Sequence, residues 1–475
     1  MIARIIVLSL YAIMIIAVGI FGFRKTKSFK DFFLAGGNVG ALMSAFSYGT
    51  AYFSAVLFIG FAGKVGWGFG YSGLWIAVFN ALVGVLGMWG IFGWRIKKMS
   101  IEYDVTTMSE FLEKRYDSPF LKLYASIVIF VFLIPYSAAV FIGLSYLFTS
   151  NFGIPYWYSL IFMGLFTAIY LVMGGYKSMA MIDMIFGMIM SVSVIVLYFS
   201  TVSVGGGLGA ITISLAEIDS QLTQAVGPPG LWALFSLIFL TSIAPFAMPQ
   251  LIQKFYAIKD KQAVQQGMVA STIFAILIGG VAYFTGATTR IFLNPTSTPA
   301  AFSDGKPIFD ALMPELLTKV IPESLSILML LLVMSASMST LAALVLVSSS
   351  SLVKDFYAGF INKNVSDEQL TLLMRFASGL FVFLSVIIAY FKPQTIVTIL
   401  GISWGAIGAS FLGPFVWGLL SKKVTKWGAI SSSVIGLIVT LGLYYFADHS
   451  SPSAGTIGMM VSLALNPIVS VFTHD

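Results

Sequence analysis

Thirteen apolar runs, each about long enough to cross a bilayer, dominate this chain and leave few folds open to it. They fall at approximately 3–22, 39–61, 68–93, 121–148, 155–173, 179–203, 229–251, 264–289, 324–352, 371–391, 394–420, 427–446 and 455–471. A crossing helix needs about 20 predominantly apolar residues. Within lipid each helix must satisfy its own backbone polar groups, because no water is present to do so. The expected fold class is therefore an all-α polytopic membrane protein with about 13 transmembrane helices. Composition agrees, since only 9% of the 475 residues are charged, against roughly 25% in soluble proteins.

The charge that remains is unevenly placed. Of 26 Lys and Arg, 20 fall on one set of connections. These are Arg24, Lys25, Lys27, Lys30, Arg95, Lys97, Lys98, Lys114, Arg115, Lys122, Lys177, Lys254, Lys259, Lys261, Lys354, Lys363, Arg375, Lys422, Lys423 and Lys426. Arg4, Lys64, Arg290, Lys306, Lys319 and Lys392 fall on the other. Basic loops face the cytoplasm, which puts the N-terminus outside and the C-terminus inside. The net charge of +7 is thus a topology signal and not a nucleic-acid footprint. The first run lacks a small-residue cleavage site and is followed by Arg24-Lys25-Thr26-Lys27, so it reads as a retained helix rather than a signal peptide. Asn364-Val365-Ser366 has the glycosylation pattern but falls on the cytoplasmic side.

Enzyme chemistry finds little to work with. There is no cysteine, and the two histidines, His449 and His474, sit at polar positions near the C-terminal end. No HExxH is present, and the serine-rich runs have no adjacent base. Gly205-Gly206-Gly207-Leu208-Gly209 lacks the lysine of a phosphate loop and reads as a linker.

Two runs are interrupted near mid-membrane. One reads Ser47-Tyr48-Gly49-Thr50-Ala51-Tyr52-Phe53-Ser54, the other Thr241-Ser242-Ile243-Ala244-Pro245-Phe246-Ala247-Met248-Pro249. Proline removes an amide donor and clashes with the preceding turn. Interrupted helices at matching positions of two halves point to a transporter's binding site, and these two lie five spans apart. A third feature is Ser335-Ala336-Ser337-Met338-Ser339-Thr340, inside an apolar run. Ala336, Ser339 and Thr340 stand at i, i+3 and i+4 and so share one helix face. One carbonyl and two hydroxyls there suit a small desolvated cation. The plainer alternative is that the hydroxyls bind neighbouring helices together.

The chain resembles the sodium/solute symporter family along nearly its whole length. The resemblance rests on Gly418-Leu419, Lys423, Gly428-Ala429 and Ser432 through Gly436, and on Met338-Ser339-Thr340-Leu341 with Ser348-Ser349-Ser350 and Asp355-Phe356-Tyr357. Asp31 through Gly37, Ser109-Glu110-Phe111-Leu112 with Lys114-Arg115-Tyr116, and Gly174-Gly175 with Asp183 are similarly family-like. It implies an amino-acid-transporter-like fold of two inverted five-helix repeats with broken first helices. The divisions would be an extra N-terminal helix and linker (1–38), repeat one (39–203), an outer loop (204–228), repeat two (229–420) and two C-terminal helices (421–475).

The resemblance also implies a sodium site formed by the carbonyls of Thr50, Phe53 and Ala336 and the hydroxyls of Ser339 and Thr340. Family members that use a second sodium carry serines one turn further on, where this chain has Ala342 and Ala343. One sodium per cycle is therefore expected. Asp183 would draw sodium toward the exit or be a water-exposed boundary carboxylate near Lys177, with Ile182 and Phe186 replacing its usual neighbours.

For the solute, the positions implied are Tyr52, Ser54, Trp75, Tyr136, Thr241, Pro245, Ser403 and Trp404. Proline symporters of the family carry an acidic residue at position 52 and aromatic residues at 241 and 245, so proline itself is disfavoured. A missing Glu in the second span of repeat one disfavours hexoses, and a missing Arg in the fourth span weakens a sialic-acid-like solute. A small neutral, zwitterionic or monocarboxylate solute fits this uncharged aromatic pocket. Lys64 reads as a snorkelling side chain. The expected function is sodium-coupled import of a small organic solute across the plasma (inner) membrane by alternating access, with a monomeric functional unit. The alternatives are proton-coupled or uncoupled passage, and a solute-sensing membrane domain, although the chain continues only a few residues past its last apolar run.

Overall fold

The computed structural model describes residues 2–25, 29–173 and 175–473, with side chains left aside at 2–5, 21–25, 29 and 169–173. The side chains of Arg4, Arg24 and Lys25, and the residues Lys27, Gly174 and His474, all singled out in the sequence, lie outside what is described. Among the described residues nine helices are long and apolar enough to cross a membrane, or ten if the bent pair 231–257 is one span. Ile2–Lys25 and Tyr156–Met173 add further apolar helices.

Both expected interruptions are real breaks. The helix Ala41–Tyr52 ends at Phe53, whose φ of −98° and ψ of 86° leave the helical region. The Ser54 hydroxyl accepts the Val56 amide at 3.1 Å, acting as the cap from which the next helix starts. That second half winds as a π-helix over Val56–Phe61 and as an α-helix over Ala62–Phe69, beyond the expected limit at 61. It turns at Gly70, where φ is 56° and only glycine is unstrained. In the second break, Leu231–Ile243 tightens to a 3₁₀ turn over Ala244–Ala247, and a new helix runs over Pro249–Ala257 at 44° to the first. Met248 is extended at φ −79° and ψ 113°, as a residue before proline prefers. Pro249 then opens the helix where its missing amide costs nothing.

These broken helices sit at the centre of the packing. Ala41–Tyr52 is enclosed by Tyr176–Val204, Lys261–Ala287 and Ser326–Ser350. Ala62–Phe69 and Lys261–Ala287 approach so closely at Gly66 and Gly286 that a Cβ on either would run into the other helix's backbone. Small residues permit such contact where lipid gives helices no hydrophobic reason to associate. Ile396–Leu420 packs on the helices Lys426–Phe446 and Ser451–Phe472.

Several assignments to connections need correction. Lys254 is no loop cation: it lies in Pro249–Ala257 and is 1% exposed. Lys97 is also buried, its ammonium donating to the Tyr256 carbonyl at 2.9 Å and the Gly37 carbonyl at 3.3 Å. Lys64 is half-buried, its ammonium 5.6 Å over the Phe309 ring. Segment 204–228 contains the helix Leu208–Ile218. Segment 290–323 carries a two-strand hairpin, Phe302–Ser303 with Lys306–Pro307, and the helix Phe309–Val320.

Candidate functional site: an oxygen cluster beside a small aromatic cavity

Where Ala41–Tyr52 stops, its last carbonyls lose their helical partners. Ser326–Ser350 presents Ala336, Ser339 and Thr340 to that end. The Ser339 hydroxyl donates to the Thr50 hydroxyl at 2.8 Å, and Thr50 in turn donates to the Phe46 carbonyl at 2.7 Å. The Thr340 hydroxyl lies 3.0 Å from the Ala336 carbonyl, 3.2 Å from that of Thr50 and 3.4 Å from that of Ala51. One hydroxyl has one proton, so three carbonyls compete for a single donor. Such a surplus of buried acceptors matches a cation. Four of the five expected positions (Thr50, Ala336, Ser339, Thr340) are thus joined by hydrogen bonds. Phe53 stands at the break beside them and faces the cavity described below.

Asp183 belongs to the same network and is not a water-exposed boundary group. It is fully buried, accepts the Ser47 hydroxyl at 2.5 Å, and is approached by Ser339. Its cationic neighbour is Lys254, 4.0 Å away with no exposure on either side chain, rather than Lys177. The Lys254 ammonium also lies 4.9 Å over the Tyr176 ring. Sequence reasoning missed this lysine because it stands only a few residues from Lys259 and Lys261, which do lie at the boundary.

Next to the cluster is a cavity of about 30 Å³, room for little more than one or two waters. Tyr52, Ser54, Tyr136, Thr241 and Trp404 line it, as expected, together with Asn80 and Tyr283. The Tyr52 hydroxyl donates to the Thr241 carbonyl at 2.6 Å. Asn80 was not expected. Its Oδ1 accepts the Ser242 hydroxyl at 2.8 Å and lies 2.8 Å from that of Thr241, which also reaches the Leu237 carbonyl at 2.7 Å, so its amide hydrogens remain as donors. Three expected positions point elsewhere. Trp75 is 42% exposed and donates to the Ala225 carbonyl at 3.1 Å. Ser403 turns away to the Phe132 carbonyl at 2.5 Å. Pro245 is buried in the 3₁₀ turn and shapes the break without lining the cavity.

Packing is tight on both sides of the cavity. On one side Leu57, Phe61 and Leu400 cap the cavity, and Gly60 is pressed against the Ile396 side chain. Asp310, from Phe309–Val320, accepts the Ile396 amide at 3.1 Å. Burial pushes this carboxyl up to about 6, against the opposing pull of that amide and of Lys64 and Lys392. On the other side Lys97 holds Pro249–Ala257 through the Tyr256 carbonyl, and the Gln253 amide donates to the Phe33 carbonyl at 3.0 Å.

Two broken helices around a buried oxygen cluster are the architecture of a membrane transporter. The chain belongs to the sodium:solute symporter family, whose model matches residues 32–436. It is 28% identical to the high-affinity proline transporter PutP of Bacillus subtilis over 96% of this chain and 95% of that protein. It is 27% identical to the sodium/pantothenate symporter of Escherichia coli, covering 98% of each. In fold it is similar to a Na+-coupled sialic acid symporter solved in a substrate-bound outward-open state, with a TM-score of 0.83 over 99% of this chain and 97% of that one, at 18% identity. The family and these relatives are transporters rather than enzymes, and the chain is a sodium-coupled solute symporter.

Proposed function

We propose that the chain imports a small carboxylate-bearing or zwitterionic solute together with one sodium ion, bound by Thr50, Phe53, Ala336, Ser339 and Thr340. The observation that carries the ion site is the set of three carbonyls converging on the single Thr340 hydroxyl. Alanine at 342 and 343 supports one ion per cycle. Two repeats (39–203 and 229–420) within thirteen crossing helices, with the N-terminus outside and the C-terminus in the cytoplasm, are consistent with breaks five spans apart and with the basic connections. A bacterial-type inner or plasma membrane accords with the relatives' sources.

The solute site is the cavity lined by Tyr52, Ser54, Asn80, Tyr136, Thr241 and Trp404. It holds no charged side chain, and its free Asn80 hydrogens suit a carboxylate or carbonyl acceptor. Proline and pantothenate, named for the relatives, both carry a carboxylate. The 30 Å³ volume is that of a closed state, which opens when the seal at Gly60 and Ile396 parts. Sodium would bind first and tie the end of Ala41–Tyr52 to Ser339 and Thr340. Rocking of one helix bundle against the other then exposes ion and solute to the inside. One inward charge is worth about 2.3 kcal/mol per 100 mV, and a tenfold sodium gradient adds about 1.4 kcal/mol.

The test is uptake into proteoliposomes of a panel of labelled amino acids and monocarboxylates, with an inward sodium or potassium gradient. Sodium-dependent accumulation of a carboxylate-bearing solute is expected, with at least a hundredfold loss in the Ser339→Ala/Thr340→Ala protein. Undiminished sodium dependence in that variant removes the ion site from these residues. A second sodium transported per solute removes the single-ion stoichiometry.

A further inference from the structure

A separate cavity of about 10 Å³ lies between Pro249–Ala257, the segment Thr106–Met108 and the far end of the long helix that carries Ser339 and Thr340. Asp355 lines it and is fully buried. Its Oδ1 accepts the Thr107 hydroxyl at 2.7 Å, while its Oδ2 has no hydrogen-bond partner. Three other lining oxygens are equally unpartnered: Ser350 Oγ, Gln253 Oε1 and the Tyr256 hydroxyl. Their residues are 1%, 2% and 3% exposed. Four buried oxygens with unused lone pairs around one small space is a costly arrangement unless something electropositive meets them.

The cations around the cavity make their direct contacts with groups other than Asp355. Lys354 is 3.0 Å from Glu110 and also meets Thr106. Lys122 is 2.8 Å from Glu113, and Lys97 is held by the Tyr256 and Gly37 carbonyls. Burial alone would raise the Glu110 carboxyl, but Lys354 and the Thr106 amide hold it below its usual value. Glu110 therefore stays ionised and occupied with Lys354. Asp355 has no such cation of its own. Among the described residues no group of three or more His, Cys, Asp or Glu gathers anywhere, so a divalent or transition metal is not matched. One carboxylate with neutral oxygens matches a monovalent cation.

Position connects this space to the ion cluster. The α-helix Ser326–Ser350, which carries Thr340, runs without a break into a π-helix over Ser351–Ile361, which carries Asp355. Fifteen residues separate Thr340 from Asp355, roughly 20 Å along the axis. Resting on the proposed sodium site and direction of transport, we propose that the Asp355 cavity is a second, weaker sodium site: an exit station that receives the ion leaving Thr50, Ser339 and Thr340. The ion visits the two sites in turn, so the coupling ratio does not change.

Equilibrium binding of 22Na+ to the purified full chain tests this. Wild type is expected to bind two ions per chain at saturation, in a tight and a weak phase. Asp355→Asn should abolish the weak phase alone, and Ser339→Ala/Thr340→Ala the tight phase alone. Gln253→Leu guards against a folding defect in Asp355→Asn and should weaken the weak phase about tenfold at unchanged tight binding and unchanged gel-filtration profile. A single phase lost in Ser339→Ala/Thr340→Ala and unaffected by Asp355→Asn overturns the exit station and leaves the main site standing. Retention of both phases in Asp355→Asn and Gln253→Leu also overturns it. Absence of any sodium binding overturns both assignments.

Discussion

The proposed ion cluster takes its oxygens from two helices, while the proposed solute cavity takes its lining from at least five. In the cluster, Ala41–Tyr52 supplies freed carbonyls and Ser326–Ser350 supplies hydroxyls at i+3 and i+4. The side-chain demand is small: a hydroxyl, twice. The cavity instead needs Tyr52 and Ser54 at one break, Asn80, Tyr136, Thr241, Tyr283 and Trp404 in register with one another. Gly84 is part of that register, because a Cβ there would meet the Tyr52 hydroxyl at 2.6 Å. A cation needs only oxygens at the right radius, whereas a solute needs a shape. On the proposed assignment, the ion site can stay constant while the cavity changes with substrate.

The largest effect expected from this contrast falls on the pair that backs the ion cluster. Asp183→Asn leaves the Lys254 ammonium buried without its carboxylate. Removing one partner of a buried pair costs about 3–5 kcal/mol, so a marked drop in melting temperature and loss of uptake should follow. Adding Lys254→Met should restore the melting temperature without restoring uptake, because Asp183 also meets Ser47 and Ser339 of the ion network. Strictly additive effects in the double variant break the claim that the two residues act as a pair.

A smaller effect separates the cavity from the cluster. Tyr52→Phe and Asn80→Ala each remove a hydrogen-bonding group worth about 1–1.5 kcal/mol, which is about a tenfold rise in the half-saturating solute concentration. The half-saturating sodium concentration should barely move. Trp75→Ala and Ser403→Ala should change neither, since neither lines the cavity. A tenfold solute effect from Trp75→Ala breaks the assignment of the cavity.

The same contrast decides what the sequence disclosed. Helical spacing and proline chemistry are local, so the apolar helices, both breaks and the Ala336-Ser339-Thr340 face were legible. The proposed carbonyls of Thr50 and Phe53 rest on the family resemblance, because a carbonyl leaves no trace in side-chain identity. The cavity was half legible. Trp75 looked suitable by composition, but its direction depends on the Ala225 segment 150 residues away. Asn80 passed unnoticed as one amide in an apolar run, though a lone amide there is itself a signal. Lys254 was hidden by its neighbours Lys259 and Lys261, and only the bend at Met248 turns it inward. The helix Leu208–Ile218 is not legible as a helix because the glycines at 205–207 and 209 open its segment as a linker would.

The smallest effect expected is on the packing around Ile396, and it sharpens the comparison by showing that neither site depends on it for affinity. Asp310 lies between crossing helices, and burial raises its carboxyl from 3.8 to about 6. In the unfolded chain the group releases its proton near 3.8, so between those values the folded state holds a proton that the unfolded state has lost. Stability from this group is fully present below about 4 and declines as pH rises toward 6. Above that range the ionised carboxylate still accepts the Ile396 amide, and the contribution is flat. Asp310→Asn should remove the decline, leaving a melting temperature between pH 4 and 7 that is flatter by on the order of 2 °C. Half-saturating concentrations of sodium and solute at pH 7 should stay within about twofold, a change under 0.5 kcal/mol. A tenfold change in either would place Asp310 inside the transport path, and that packing would then have to be counted as part of the solute site.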